Sequence, residues 1–192
     1  MPHPNPAALE FLLTRRSHPA KILHAPVPSA AELTPILTAA ARSPDHGKLE
    51  PWRFVVLERG VMPRLATLAE ARARDLGYDA ERIAKGRSQF DQGNLAIVVV
   101  SSPKSSEKVP QIEQTLSAGA VCLGLLNAAH AAGWGACWLT GWVAHDRGFV
   151  ESGLGLTAHE FVAGIVHIGT PSAASPDRPR PDIAALTSWI SA

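Results

Sequence analysis

The chain has 192 residues, 46% of them hydrophobic, and its 18 Lys and Arg against 17 Asp and Glu leave a net charge of +1. That length predicts one domain with a real core, hiding roughly 70% of its unfolded surface. The near-neutral charge excludes the basic excess expected of a nucleic-acid partner, and the apolar content excludes a disordered chain.

Asn5-Pro6 predicts a helix start, with Asn as cap and Pro in the first turn. Leu9, Leu12 and Leu13 share one face of that helix, which runs into Arg15-Arg16-Ser17. Ser29-x-x-Glu32 is a capping box. Leu33, Ile36, Leu37, Ala40 and Ala41 follow at helical spacing, with Pro44 as the expected stop. Residues 53–57 predict a strand. Residues 62–90 are charged and amphipathic and predict two helices broken near Gly77. Leu95 to Val100 is an unbroken apolar run, the pattern of a strand buried on both faces.

From Gln114 to His145 there is no charged Asp, Glu, Lys or Arg. A membrane span needs about 20 apolar residues. Here Asn127, His130 and the Gly133-Trp134-Gly135 break favour a buried helix over 112–132 followed by a buried strand over 134–140. Such a helix must be covered on every side, which a symmetric dimer does more easily than a monomer. Its small residues (Ala118, Gly119, Ala120, Gly124, Ala128, Ala129) suit close approach of another helix. Residues 146–152 predict a short helix, 161–168 a strand, 172–181 a Pro-rich surface extension, and 182–190 a short terminal helix or tail. Helices on both faces of one sheet are the expected layering.

Several motif matches carry no chemistry. Gly153-Leu-Gly155-Leu-Thr-Ala158 has dinucleotide-fingerprint spacing, but a helix rather than a strand precedes it, so it reads as a turn. Ser101-Ser-Pro-Lys104 lacks its companion motifs and reads as a loop. The eight histidines are scattered, and no metal site is expected. Cys122 and Cys137 are too few for a disulfide framework and read as small core residues. The start MPHPNPAALE resembles no signal peptide, so the expected compartment is the reducing cytoplasm.

The informative groups are polar corners beside apolar elements. Arg15, Arg16 and Ser17 close the first helix: either a solvated end favoured by the helix dipole, or a phosphate clamp of guanidinium and hydroxyl donors. Arg42-Ser-Pro-Asp45-His46 forms a second corner before Pro51-Trp52. Trp138, Leu139 and Thr140 end an apolar strand, where an aromatic and a hydroxyl suit a flat ligand. Arg178 and Arg180 follow Gly169-Thr170-Pro171.

Taken in order, LLTRRS (12–17), ARSPDHGKLEPWRFVVL (41–57), KVPQIEQTLSAGA (108–120), GWGACWLTG (133–141) and GIVHIGTP (164–171) resemble the FMN-dependent nitroreductase family, in particular its short bacterial NAD(P)H nitroreductase subgroup. The resemblance implies an α+β fold, an α/β/α sandwich with a central, mainly antiparallel sheet flanked by helices. It implies an intertwined homodimer holding FMN at the subunit interface, with the whole chain, 1–192, one FMN-binding domain and 172–192 an extension packing on the partner. By position, Arg15, Arg16 and Ser17 are similar to the FMN phosphate and ribityl contacts, and Arg42 to a residue near the flavin. His46 is similar to a contact from the other subunit, Trp138, Leu139 and Thr140 to the segment beside the isoalloxazine, and Arg180 to a late basic residue at the phosphate.

No catalytic side chain and no metal are implied. The implied reaction is ping-pong hydride transfer from NAD(P)H through flavin N5 to nitroaromatics, quinones or a similar electron-poor small molecule, with no nucleic acid or membrane involved. A non-enzymatic flavin-storage dimer and a flavin-consuming enzyme of the same fold remain open. Two positions depart from the family pattern: Lys48 stands where Asn is frequent and Glu50 where Gln is usual. If both face the site they can pair and largely cancel; if only Glu50 faces the flavin, it should disfavour the reduced, anionic form.

Overall fold

The computed structural model describes residues 3–191. Helix α1 (Pro6–Thr14) starts as expected: the Asn5 side chain accepts from the Ala8 N–H at 3.1 Å, and Pro6 needs no donor there. None of its residues is buried, and Leu9, Leu12 and Leu13 are largely exposed. In α2 (Ala30–Ala40) the Ser29–Glu32 capping box is complete. The helix ends earlier than Pro44 alone would dictate. It unwinds after Ala40, where the Ser43 hydroxyl takes up the Ala40 carbonyl at 3.0 Å.

The sheet holds β1 (Leu23–His24), β2 (Trp52–Glu58), β3 (Leu95–Ser101), β4 (Gly135–Leu139) and β5 (Phe161–Pro171). Every ladder is antiparallel, the path runs β1-β5-β3-β2, and β4 lies along β5. Strand β3 is buried along its whole length, as its uninterrupted apolar run required. β5 extends to Pro171, three residues beyond the apolar run, because Thr170 and Pro171 pair with β1. Two-residue β1 is too short to leave a periodic signal in the sequence.

Alternation along the strands divides the core. Ala96, Val98, Val100 and Ile165 meet α3 (Met62–Asp75), α4 (Ala80–Asp91) and α6 (Arg147–Leu154) on one face. Ile97, Val99, Val166 and Ile168 meet α2 and α5 (Gln111–Ala131) on the other. The sandwich is thus helix, sheet, helix. Gly124 of α5 faces α2, where an added Cβ would stand 3.3 Å from the Ala40 backbone, so this small residue serves packing within the chain. Gly119 faces open space. Ile112, Leu116 and Leu123 are exposed on the outer side of α5, so the helix is apolar all round but covered only in part.

The Gly153–Gly155 match is a helix stop: Gly155 takes the left-handed conformation, φ 70°, at the end of α6. Ser101 closes β3 and Lys104 lies in the loop after it. Among the described residues no helix is long and apolar enough to cross a membrane. The last helix, α7 (Ile183–Leu186), has four residues and buries none.

Candidate functional site

The chain leaves α1 at Arg15, whose φ/ψ of −55°/143° is extended rather than helical, while its N–H still bonds the Phe11 carbonyl at 2.9 Å. The run that follows lies against the outer edge of β4: the His18 N–H donates to the Ala136 carbonyl at 2.9 Å. A free strand edge thereby holds the Arg-Arg-Ser corner beside the sheet. From the other direction, β5 delivers the extension back over the same place. The Ser172 N–H bonds the Ile22 carbonyl at 3.0 Å, and Arg16 Nε donates to the Pro176 carbonyl at 3.2 Å.

Between them lies a cleft of about 550 Å³ lined by Arg15, Arg16, Ser17, Arg178 and Arg180, within the usual range for small-molecule sites. Asp177 is the one carboxylate in the lining, against four guanidinium groups. It lies 3.8 Å from Arg16 Nε and 3.0 Å from Arg180 Nη2. The Arg178 N–H and these two cations hold it below the usual carboxylate range. Among the described residues Arg15 has no carboxylate partner: Nη2 donates to Ser17 Oγ at 3.2 Å, and Nε faces His130 Nδ1 at 3.5 Å. Burial, then Arg16 and Arg180, lower its pKa. Among the described residues the corner therefore carries more positive than negative charge. The donor set — guanidinium forks with a hydroxyl between them — matches a phosphate monoester.

Four of the site residues expected from the sequence, Arg15, Arg16, Ser17 and Arg180, thus converge, and Arg178 joins them. The strand contribution differs from expectation. Cys137 lines the cleft, whereas Trp138, Leu139 and Thr140 are outside its lining. For Trp138 the reason is the two-residue period of β4. Trp138 points to the α5 face, where its indole lies over Gly164 so closely that an added Cβ would stand 2.1 Å from Nε1. The same alternation, applied to 134–140, puts Cys137 on the opposite face from Trp138, together with Gly135 and Leu139. Burial pushes that thiol up to about 11, so it is protonated and no nucleophile at neutral pH.

Arg42 and His46 lie outside this cleft. Arg42 sits exposed in the turn after α2. His46 Nδ1 meets Glu113 Oε2 of α5 at 2.6 Å, beside a hollow of about 300 Å³ that includes Leu116 and Ala120. Lys48 and Glu50 line a further hollow with Asp45 and Trp52. Both have positive φ, 53° and 48°, a costly conformation for residues with a Cβ. The Asp45 carboxylate holds this turn by accepting from the Leu49 N–H at 3.1 Å and the Glu50 N–H at 2.8 Å. Among the described residues Lys48 and Glu50 form no ion pair with each other. No group of His, Cys, Asp or Glu among the described residues is arranged to hold a metal.

The nitroreductase family model matches residues 12–170. The chain belongs to the nitroreductase family. "Putative NAD(P)H nitroreductase YdjA" of Escherichia coli (strain K12) is 35% identical over 164 residues, 85% of this chain and 88% of that protein. Among solved structures, a nitroreductase-like family protein from Bacillus cereus superposes with a TM-score of 0.78 at 21% identity, covering 99% of this chain and 98% of the other. A "putative nitroreductase in complex with fmn" from Desulfovibrio desulfuricans gives 0.74 at 20% identity, covering 98% and 99%. These likenesses establish the nitroreductase-like α+β fold. The match begins inside α1 and ends at Thr170, so Arg178 and Arg180 lie beyond the family model and enter the site through the extension alone.

Proposed function

We propose that this chain is an FMN-dependent NAD(P)H oxidoreductase that reduces nitroaromatics, quinones or related electron-poor acceptors. The observation that carries the reading is the convergence of Arg15, Arg16, Arg178 and Arg180 with Ser17 on one cleft, with a single carboxylate among them. The FMN-bound structural relative and the NAD(P)H nitroreductase name of the Escherichia coli relative add to it. The cleft fits the phosphate end of FMN, since phosphate would supply the negative charge that the four guanidiniums lack. Bound FMN supplies two-electron transfer between donor and acceptor.

The chain's own residues bind and orient. Arg15 and Ser17 hold the phosphate, and Arg178 and Arg180 close over it from the extension. The β4 segment Trp138–Thr140 borders the ring system. Arg42 and His46, remote from the cleft of their own chain, serve the site of a second copy. The assembly is a homodimer in which α1 and α5 bury Leu9, Leu12, Leu13, Ile112, Leu116 and Leu123. Ile183, Leu186, Trp189 and Ile190, all exposed, pack on the partner as the end of the extension. Two buried, unpaired cysteines support a cytoplasmic setting.

The test is the visible spectrum of the purified, FMN-loaded protein under nitrogen. The reading predicts a yellow protein that bleaches on adding NADH or NADPH and recovers its colour on adding a nitroaromatic or quinone. A loaded protein that stays oxidised with both donors contradicts the reductase assignment.

A further inference from the structure

Behind the arginine cleft lies a second hollow of about 250 Å³, lined by Phe11, Trp134 and Pro171 and by the polar set Arg15, Arg16, His18 and His130. Arg15 stands in the wall between the two spaces, since it lines both. On the cleft side, Nη2 is tied to Ser17. On the far side, Nε meets Nδ1 of His130, which comes from the last turn of α5, 115 residues away in sequence. The His18 ring lies edge-on to the His130 ring with centroids 5.7 Å apart. A flexible arginine loses rotamer freedom when fixed. A protein that fixes it beforehand spares its ligand that cost.

We propose that His130 is the positioning residue for Arg15: it accepts from Nε and so presents the Nη edge of the guanidinium to the phosphate of FMN. The proposal rests on the cleft being the FMN phosphate site. An acceptor at Nδ1 requires a neutral ring with its proton on Nε2, because imidazolium has only donors. The surroundings enforce neutrality. Burial first, then Arg15 and His18, push His130 down to about 4, and only the Ala136 carbonyl acts the other way. His18 is itself lowered, by burial and by Arg16. At neutral pH His130 therefore adds no charge and serves Arg15 as an acceptor anchored on the longest helix.

A double-mutant cycle on the full-length chain, with FMN affinity measured by equilibrium dialysis at neutral pH, tests this. His130→Leu is expected to weaken FMN binding by roughly ten-fold and leave riboflavin binding unchanged, because the effect passes through the phosphate. His130→Gln, which keeps an acceptor, is expected to restore most of the loss. In an Arg15→Ala background, His130→Leu is expected to cost nothing more. If the leucine variant does not fold, the cycle runs with His130→Ala, which adds no bulk at the end of α5. Wild-type affinity in His130→Leu, or the same additional loss in both backgrounds, overturns the positioning role and leaves the phosphate clamp standing. An Arg15→Ala variant that binds FMN as tightly as wild type removes the clamp, and the positioning role with it.

Discussion

Arginine is used in two opposite ways in this molecule. On the α3/α6 side, Arg53 meets the buried carboxylate of Glu160 with two near-parallel bonds, Nε–Oε1 at 2.7 Å and Nη2–Oε2 at 2.8 Å. Glu160 is 5% exposed and is held far below the usual carboxylate range, chiefly by Arg53. Beside β4, four arginines line a cleft with one exposed carboxylate, Asp177, which pairs with Arg16 and Arg180. The first arrangement is complete within the chain, and its guanidinium is part of the fold. The second is electrostatically unfinished among the described residues, and in the proposed function an external anion completes it. Matched and unmatched charge thus separate a structural arginine from a binding one more sharply than residue type or sequence position.

The contrast breaks most visibly in stability. Arg53→Met strands a buried carboxylate and is expected to lower the unfolding free energy by about 2–3 kcal/mol at pH 7, read from urea melts, without a comparable loss of FMN affinity. Because the folded pKa of Glu160 is depressed, its contribution is present above the unfolded carboxylate pKa of about 4.3 and is lost as pH falls further. The difference between variant and wild type should therefore shrink towards pH 3. Arg15→Ala should do the reverse. FMN affinity falls roughly ten- to hundred-fold by fluorescence titration, while the stability of the FMN-free protein does not fall, because a desolvated cation beside Arg16 and Arg180 has been removed.

His167 shows a third outcome for a buried basic group. It sits 2% exposed in β5, and burial alone pushes it down to about 4, so it is neutral. Its unfolded form takes up a proton first as pH falls through about 6.5, so stability declines from there towards pH 4. The expected cost is roughly 2 kcal/mol at pH 5 from this residue. His167→Leu should flatten the fall in urea midpoint between pH 7.5 and 5; an unchanged slope would show that the ring is protonated inside the sheet. The smallest effect is expected at Asp177. It is exposed and bridges Arg16 and Arg180, so Asp177→Asn should tighten FMN binding only a few-fold, read by the same titration.

What the sequence disclosed follows the range of the interactions involved. Helix starts at Asn5 and Ser29 were legible because a cap and its partner lie three residues apart. The buried character of β3 was legible because burial on two faces leaves no polar alternation. The end of α2 and the extra length of β5 were not, because Ser43 and two-residue β1 decide them. In the site, Arg15, Arg16 and Ser17 were legible as a contiguous cluster. The closing of Arg178 and Arg180 over them depends on how the chain leaves β5. The contact of Arg15 with His130 spans 115 residues and has no local signature. Cys137 was hidden by reading the end of β4 as one segment, although alternation alone separates it from Trp138.

The phosphate is the part of FMN on which the whole assignment turns, so the most direct measurement compares FMN with riboflavin, which has the same ring and lacks only that group. Titrated into the FMN-free, full-length protein at neutral pH, FMN is expected to bind about 100-fold tighter or more, with the gap narrowing in Arg15→Ala. Equal affinity for the two flavins would mean that the four arginines hold no phosphate, and would contradict the account.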